Sequence, residues 1–406
     1  MDKTDVFRSY GDIVIDYIDL VIDDKHNSLL DVFVELNIYE DVFSPLLSGS
    51  IAILDSNNLI KNLNILGGEN QQIKFKFKTK GSQAWIEGVM CVYKISERVE
   101  INENTMAYKL HLISKEAFIN NSKLISRSFK GLYSQHINAL LDDISTTKER
   151  DITDTAYPVS WISMNWKPIE AITWVTDRSI SQQTFNASFV FYEDCRGFKF
   201  KSLEDVFSSD PVVSYKKKTT NTINDQNDYE SLFFSPKDIK INHSSNLLSC
   251  VDRGVYGSTY IEHDIVKKTI VEKNTVWSDY KHIENNPLTD NIYNGSGVRY
   301  SPMHNNRTIY SGDNIRRQTT RQSFLAGLSV SSVTLSVSLN SSLCVGVLVN
   351  LEIPSPEHVE NTAKKNGHLH GKHLITKLSH FVTPDQGETI IEAIKDSVYL
   401  EENRLA

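Results

Sequence analysis

The chain has 406 residues, of which 40% are hydrophobic and 23% are charged, and its formal net charge is −8. This length predicts roughly two to four domains, and the composition excludes a disordered or membrane-embedded protein. The acidic balance argues against a dedicated nucleic-acid binder, which would carry a basic face. We find no apolar stretch near the ~20 residues that span a bilayer, and Met1 to Asp5 predicts no signal peptide.

The first hundred residues alternate with the period of two that is typical of β-strands. In the first such segment, one face is predicted to carry Val32, Val34, Leu36 and Ile38. Ile73 to Lys78 alternates between apolar and basic residues, so we expect Ile73, Phe75 and Phe77 to be buried and the lysines to face water or a partner. Met106 to Leu112 repeats the pattern. Such short spacings predict an antiparallel barrel or sandwich.

Helical signals follow. Apolar residues recur at helical spacing from Tyr133 to Ile144, and a second helix is predicted to begin at Pro168, which suits a first helical turn. Phe189 to Phe200 predicts a hairpin, in which Gly197 supplies a left-handed turn conformation. A polar connector from Tyr215 to Asp228 and long loops from Asn285 to Arg321 are predicted next.

Strand patterns return near the end of the chain. They cover Val333 to Leu339, Val347 to Ile353, His373 to Leu378 and Ile390 to Ile394. The predicted fold class is therefore mainly β with some α, with two strand-rich regions around a helix-containing middle. The scattered Cys91, Cys195, Cys250 and Cys344 predict reduced thiols, since no Cys-x-x-Cys pair occurs.

Few residues point to chemistry. His368 and His370 could share a metal ion, but a site needs a third rigid ligand, and Gly367 and Gly371 favour a loop. Glu193 and Asp194 resemble an acid-base pair, although a tight hairpin turn predicts an exposed position. We therefore predict no catalytic, cofactor-binding or metal-binding residue.

The remaining polar motifs are weak. Gly295 to Gly297 lacks the strand, later glycine and helix of a nucleotide-binding loop, and no Gly-x-Ser-x-Gly occurs. Basic side chains could touch phosphate, but solvated loops or acidic subunit contacts explain them more simply. These residues are Lys216, Lys217, Lys218, Arg316, Arg317 and Arg321.

Three sections of the chain resemble, in order, the baseplate hub proteins of myoviruses. Related hub-and-spike proteins of type VI secretion have similar elements. The matching segments are Val34 to Pro45 with Gly49 to Ile51 and Leu54 to Ser56, then Trp166 to Ile172 with Phe191 to Phe198, and finally Gly346 to Val349 with Gly371 to His380.

The resemblance implies two similar antiparallel β-barrel tube domains per chain, plus smaller inserted or peripheral domains. Three chains would present six barrels to the sixfold tail tube, and the other end would receive the threefold central spike. It also implies a structural protein without enzymatic activity or cofactor, a virion component assembled in the host cytoplasm. Its partners would be two further copies, the tail tube protein, the central spike protein and other baseplate proteins, with genomic DNA passing through a channel without specific binding.

The resemblance also implies domain boundaries. Residues 1–114 would form the first tube-type barrel, completed by part of 205–255. Residues 115–204 would be the helix-and-hairpin part of the second barrel, and 319–398 its remaining strands. Residues 205–318 would hold a connector and an inserted loop-rich domain, and 399–406 a C-terminal tail.

Three alternatives stay open. The hub of a phage-derived injection particle or of a type VI secretion system would use the same mechanics. A β-rich host-adhesion or carbohydrate-binding protein should expose an aromatic binding platform. A metal-dependent hydrolase would have to be built around His368 and His370.

Overall fold

The computed structural model describes residues 9–102, 105–183, 187–217, 233–243, 248, 257–264, 268–276, 297–301, 321, 324–325, 328, 331–353 and 370–395. Within them the chain is mainly β, which confirms the predicted fold class. A 13-stranded sheet dominates, and three smaller sheets accompany it.

The first part of the chain contains seven strands and one short helix. They are β1 (Ile13–Ile22), β2 (Lys25–Ser28), β3 (Phe33–Asp41), β4 (Ser48–Asp55), α1 (Leu59–Asn62), β5 (Gln71–Thr79), β6 (Ile86–Asn102) and β7 (Thr105–Ile113). All seven strands are antiparallel, in the order β3-β4-β7-β6-β5-β1-β2. We call this group the first lobe.

The middle of the chain mixes helices with short strands, and we call it the helix-and-hairpin unit. It contains α2 (Glu116–Ser122), β8 (Ser128–Leu132), α3 (Tyr133–Asp143), β9 (Glu149–Ile152), β10 (Pro158–Ile162), α4 (Pro168–Thr176), β11 (Phe189–Asp194), β12 (Gly197–Ser202) and α5 (Leu203–Phe207). β8 pairs with β10, while β11, β12 and β9 form a three-stranded sheet.

The remaining strands form the second lobe and a small separate sheet. They are β13 (Val213–Lys216), β14 (Asp238–His243), β15 (Gly257–Asp264), β16 (Thr269–Val276), β17 (Gly297–Ser301), β18 (Ser331–Ser338), β19 (Leu348–Glu352), β20 (Gly371–Val382) and β21 (Gly387–Ile394). The second lobe follows the order β14-β18-β21-β20-β19-β13, and β16-β15-β17 is the separate sheet.

The two lobes share one sheet but have separate cores. β3 pairs with β20, from Asp41 opposite Lys377 to Leu36 opposite Val382. Phe75 and Phe77 belong to the core of the first lobe, whereas Leu335 belongs to that of the second. Burying each such side chain contributes about 1.5–3 kcal/mol. Each lobe is therefore a packed body within a continuous sheet.

Most element predictions are confirmed. Ile73, Phe75 and Phe77 are buried on β5, and both predicted helices and the hairpin are present. Val34 was predicted to share the buried face of β3, but it is exposed. A β-bulge between Phe33 and Glu35 shifts the register, so that Phe33 is buried instead.

Two expected connections differ from the structure. The hairpin was expected to complete the second barrel, but β12 pairs with β9 outside the large sheet. Its phenylalanines pack with α3 and α4 in a third core, and only Val190 and Tyr192 reach the core of the second lobe. Part of 205–255 was expected to complete the first barrel; in the described part of that range, β13 and β14 join the second lobe.

The expected loop regions are only partly described. Tyr215 was predicted to begin an exposed connector, but it is buried in β13, where its hydroxyl accepts a hydrogen bond from Asn340. β17 lies within the predicted loop region from Asn285 to Arg321. Most of that region and most of the connector lie outside the described residues.

Candidate functional site

The end of β11, just before the hairpin turn, is buried where both lobes meet the helix-and-hairpin unit. Glu193 is 1% exposed and Asp194 is 2% exposed, so the predicted exposed position of these two acids is wrong. The local sequence favours a turn, but the turn inserts between the lobes and reaches partners far away in the chain. The junction around it is our candidate functional site.

Glu193 connects the first lobe to the helix-and-hairpin unit. Its carboxylate accepts hydrogen bonds from the Leu47 amide at 2.9 Å and from the Ser114 hydroxyl at 2.6 Å. The Lys148 ammonium lies 2.5 Å from its other oxygen. Lys148 also contacts Glu116 at 2.8 Å, and Thr146 donates to the same carboxylate. The Lys148 ammonium thus forms ion pairs with two buried carboxylates.

Glu40 connects the first lobe to both other parts of the protein. It is buried on β3 and accepts hydrogen bonds from the backbone amides of Cys195 at 2.9 Å and Val345 at 3.0 Å. Cys195 lies in the hairpin turn, and Val345 precedes β19. A single carboxylate therefore holds three parts of the chain together.

Asp194 and Gly197 shape the turn itself. The Asp194 carboxylate accepts hydrogen bonds from the amides of Arg196 at 2.8 Å and Gly197 at 2.9 Å. Gly197 has a φ of +142°, and a Cβ there would lie 2.2 Å from the carbonyl oxygen of Glu149. Glycine is therefore required both for the backbone conformation and for the close pairing with β9.

Burial dominates the electrostatics of the junction. Desolvation and the neighbouring Asp194 raise the pKa of Glu40 to about 7, although two amides oppose the shift. Desolvation also raises the pKa of Glu193. Burial lowers the pKa of Lys148, but Glu193 and Glu116 outweigh this effect and raise it. Glu40 and Glu193 are both closed off from solvent, and their hydrogen bonds join the lobes to the helix-and-hairpin unit as a structural clamp.

The histidines near the C-terminus are divided between the core and a segment that is not described. His380 is fully buried against the ring of Phe77, and burial lowers its pKa to about 3. His373 is buried in β20 with Nδ1 2.9 Å from the carbonyl of Gly371. His370 precedes β20, and His368 lies outside the described residues. Over the described ranges, no three His, Cys, Asp or Glu side chains form a group that could hold a metal ion.

Several predicted surface cations have defined partners. Lys76 lies 3.6 Å from Asp16 and 3.7 Å from Glu87. Lys216 pairs with Glu352. Arg321 was predicted to lie in a solvated loop, but it is largely buried. It donates to the carbonyls of Ala187 and Phe189 and to Asp177, so it anchors the start of β11.

Other predicted motifs lie wholly or partly outside the described residues. They are Lys218, Gly295, Ser296, Arg316 and Arg317. Cys91, Cys195 and Cys344 are free thiols as predicted, whereas Cys250 is not described. No helix in the described part of the chain is long and apolar enough to cross a membrane.

Sequence reasoning missed Glu40, Glu116 and Lys148. Glu40 could have been found, because it follows Leu36 and Ile38 at the period that places side chains on one face of a strand. An acidic residue on the buried face of a strand indicates a specific partner. Glu116 and Lys148 offer no such signal. Glu116 begins α2 and Lys148 directly precedes β9, so neither lies within a periodic apolar pattern, and each resembles an ordinary surface charge.

The outer surface where the lobes join carries both charged and aromatic side chains. β3, β20 and β21 present there the ion pair of Lys377 with Glu392 at 3.1 Å and the edge-to-face contact of Tyr39 with Phe381. Asp41 lies opposite Lys377 in the register. Acidic and basic groups therefore alternate across the joint between the lobes.

Comparison with known proteins gives one relative in sequence. No family model matches the chain. It is 23% identical over 257 residues to a protein named "Probable baseplate hub protein gp334" from Vibrio phage KVP40. The match covers 60% of this chain and 58% of that protein, so the chain spans less than two thirds of this curated relative.

Solved structures share the fold over almost the whole chain. The tail protein of Neisseria meningitidis MC58 has a TM-score of 0.58 at 9% identity, covering 96% of this chain and 98% of that one. The 43 kDa tail protein of prophage MuSo2 from Shewanella oneidensis has a TM-score of 0.58 at 10% identity, with 94% and 98% covered. The Francisella PdpA-VgrG complex gives 0.52 at 10% identity, with 99% of this chain and 55% of that one. The predicted resemblance is thus confirmed: the chain is similar in sequence to a phage baseplate hub protein and has the fold of phage tail proteins.

Proposed function

We propose that this chain is the baseplate hub of a contractile phage tail. In this role, three copies form a ring that joins the sixfold tail tube to the threefold central spike. The ring forms part of the passage for DNA, and the protein acts structurally, without turnover. It resides in the virion after assembly in the host cytoplasm, in contact with the tail tube protein, the spike protein and other baseplate proteins.

One observation carries the proposal: a single chain builds two lobes with separate cores within one sheet. A sixfold tube end offers six equivalent docking surfaces. Three chains can occupy all six only if each presents two similar surfaces. The pairing of β3 with β20 supports this role, because it fixes the two lobes side by side.

The charge of the chain supports a passage that holds DNA weakly. Three chains carry a formal charge of 3 × −8 = −24. Lys74, Lys76 and Lys78 would retard DNA if they lined the passage uncompensated. Lys76 instead lies near Asp16 and Glu87, and Lys76 and Lys78 both lie over the ring of Trp85.

Native mass spectrometry with and without the spike protein tests the proposal. We expect a homotrimer, formed at high protein concentration or when the spike protein is added. A protein that stays monomeric or dimeric under every such condition would contradict the hub function. Bovine serum albumin in place of the spike protein controls for crowding.

A second candidate is the hub of a type VI secretion system or of a phage-derived injection particle. The fold likeness to the Francisella complex favours it, because the likeness covers 99% of this chain. The two candidates differ in the molecule that is transported: a phage hub passes DNA, whereas a secretion hub carries a protein. Mass spectrometry of particles purified with this chain distinguishes them, since only a phage particle contains genomic DNA and capsid proteins.

A further inference from the structure

An exposed apolar row crosses three neighbouring strands of the first lobe. Leu54 on β4 lies opposite Ala107 on β7, which in turn lies opposite Val99 on β6. Directly opposite side chains lie about 5 Å apart, so Leu54 and Val99 lie about 10 Å apart with Ala107 between them. Leu54 is 40% exposed, Val99 57% and Ile101 58%. We call Leu54, Val99 and Ile101 the tip patch, because it lies where β6 and β7 extend beyond β4.

A second apolar patch lies on the helix-and-hairpin unit. The ribbon of β8 and β10 buries Phe129 and Trp161 on its inner face. A bridge between Ile125 and Trp166 extends this ribbon by a few residues. Leu124 is 57% exposed, Ile162 61% and Met164 73%. We call these three residues the ribbon patch.

A stack of aromatic rings packs beneath the ribbon patch. The ring of Trp161 stacks between Phe129 at 4.6 Å and Trp174 at 4.7 Å. Arg178 caps Trp174 at 4.0 Å, and Arg127 caps Phe129 at 4.8 Å. This stack fixes the ribbon in place, so its outer side chains form a preorganised surface.

Both patches expose clustered apolar side chains to solvent, which is unfavourable unless another surface covers them. A sheet is stable when each apolar face packs on another layer, and clustered exposed apolar side chains mark interaction sites. A two-stranded ribbon has little stability without layers to cover it. In the described part of the chain, no element covers the three large side chains of either patch, as their exposure shows.

The charges around the patches are of opposite sign. Three acids and two bases adjoin the tip patch, which gives a net charge of 2 − 3 = −1: Glu97, Arg98 and Glu100 beside Val99 in the chain, and Glu35 and Lys109 opposite Ala52 in the register. The ribbon patch is flanked by four bases and two acids, which gives 4 − 2 = +2: Lys123, Arg127, Lys130 and Lys167 with Asp143 and Glu170. Complementary rims steer association and fix register.

We propose that the tip patch of one copy docks onto the ribbon patch of the next copy. The inference rests on the proposed function, which requires contacts between copies. Because the two patches differ, the contact is heterologous, and such a contact forms a closed ring when each copy is rotated by a third of a turn from the last. The two patches therefore supply the contact between neighbouring copies in the trimer.

Two double variants of the full chain test this contact. Leu54→Lys with Val99→Lys disables the tip patch, and Ile162→Lys with Met164→Lys disables the ribbon patch. Each introduces buried charge at the contact and should weaken association about tenfold or more. Leu66→Lys, at a highly exposed apolar residue outside both patches, is the matched control. Circular dichroism verifies the fold of all three proteins.

Native mass spectrometry then reads the oligomers. At the lowest concentration at which the wild type is a trimer, we expect each double variant alone to be mainly monomeric. An equimolar mixture should form a dimer, since one intact patch remains on each partner. If both double variants form trimers like the wild type, the patches are not the contact, although the hub function stands. If only one variant loses its trimer, that patch binds elsewhere and the pairing is overturned. A wild-type chain that never forms a trimer would reject both this contact and the hub function.

Discussion

The buried Glu40 is expected to make the stability of the folded protein depend on pH. Burial raises its pKa from 4.5 to about 7 in the folded protein. The folded state therefore binds this proton more tightly than the unfolded state. Its stabilising contribution is fully present below about pH 4.5 and is lost as the pH rises to about 7, a change on the order of 3 kcal/mol.

We expect Glu40→Gln to remove this part of the pH dependence. Urea unfolding of both proteins from pH 5 to pH 8 measures the free energy of unfolding at each pH. As the pH rises, the free energy of unfolding of the wild type should fall relative to that of Glu40→Gln. Glu87→Gln, at an exposed position, should follow the wild type. Parallel curves for Glu40→Gln and the wild type would contradict the shifted pKa.

Phe75 tests the core of the first lobe. Phe75→Asp would place an unpaired charge in an apolar core, so we expect the first lobe to unfold, with a loss above about 4 kcal/mol. Lys74→Asp puts the same side chain on the opposite face of β5 and should leave the fold intact. Circular dichroism and thermal melting compare the two. A folded Phe75→Asp protein would contradict the burial of β5.

His368 and His370 remain a prediction, since His368 is not described. We expect the double alanine variant to change stability by about 0.5 kcal/mol or less and to assemble normally. Light scattering measures assembly, and elemental analysis measures bound metal. Stoichiometric zinc in the wild type that disappears in the variant would restore the metal-dependent alternative.

At the scale of elements, Lys148 tests the clamp formed by the hairpin turn. Lys148→Met would leave Glu193 and Glu116 buried without their cation, and breaking such a pair costs about 3–5 kcal/mol. Adding Glu193→Gln to this variant should recover part of the loss, because one uncompensated charge disappears. Chemical unfolding measures both. A loss below about 1 kcal/mol for Lys148→Met would show that the clamp contributes little.

The elements themselves were largely predictable, but their burial was not. The alternation around Phe75, the helical spacing after Tyr133 and Gly197 all act locally, so the pattern of residues predicts them. The turn at Glu193 looks exposed because its composition is typical of surface turns. Its partners Leu47 and Ser114 lie 146 and 79 residues away, and no local pattern contains them. The bulge that exposes Val34 is likewise set by pairing with β4.

At the scale of the whole molecule, the family resemblance predicted more of the architecture than the periodicity of the sequence did. Residue patterns predicted two strand-rich regions, while the order of the matching segments suggested two lobes in one chain. The joint between β3 and β20 joins residues more than 330 positions apart, so it depends on tertiary packing. The expected similarity of the two barrel domains remains a prediction, and the hairpin lies outside the large sheet that holds the second lobe.

In the proposed ring, three copies present six lobes around one axis. Electron cryo-microscopy of the purified trimer, or of the intact particle, tests it most directly. We predict a ring in which first and second lobes alternate with pseudo-sixfold symmetry at the end that meets the tail tube and with threefold symmetry at the other. A ring in which the two lobes lie at different heights or radii, or an assembly without a threefold axis, would contradict the account.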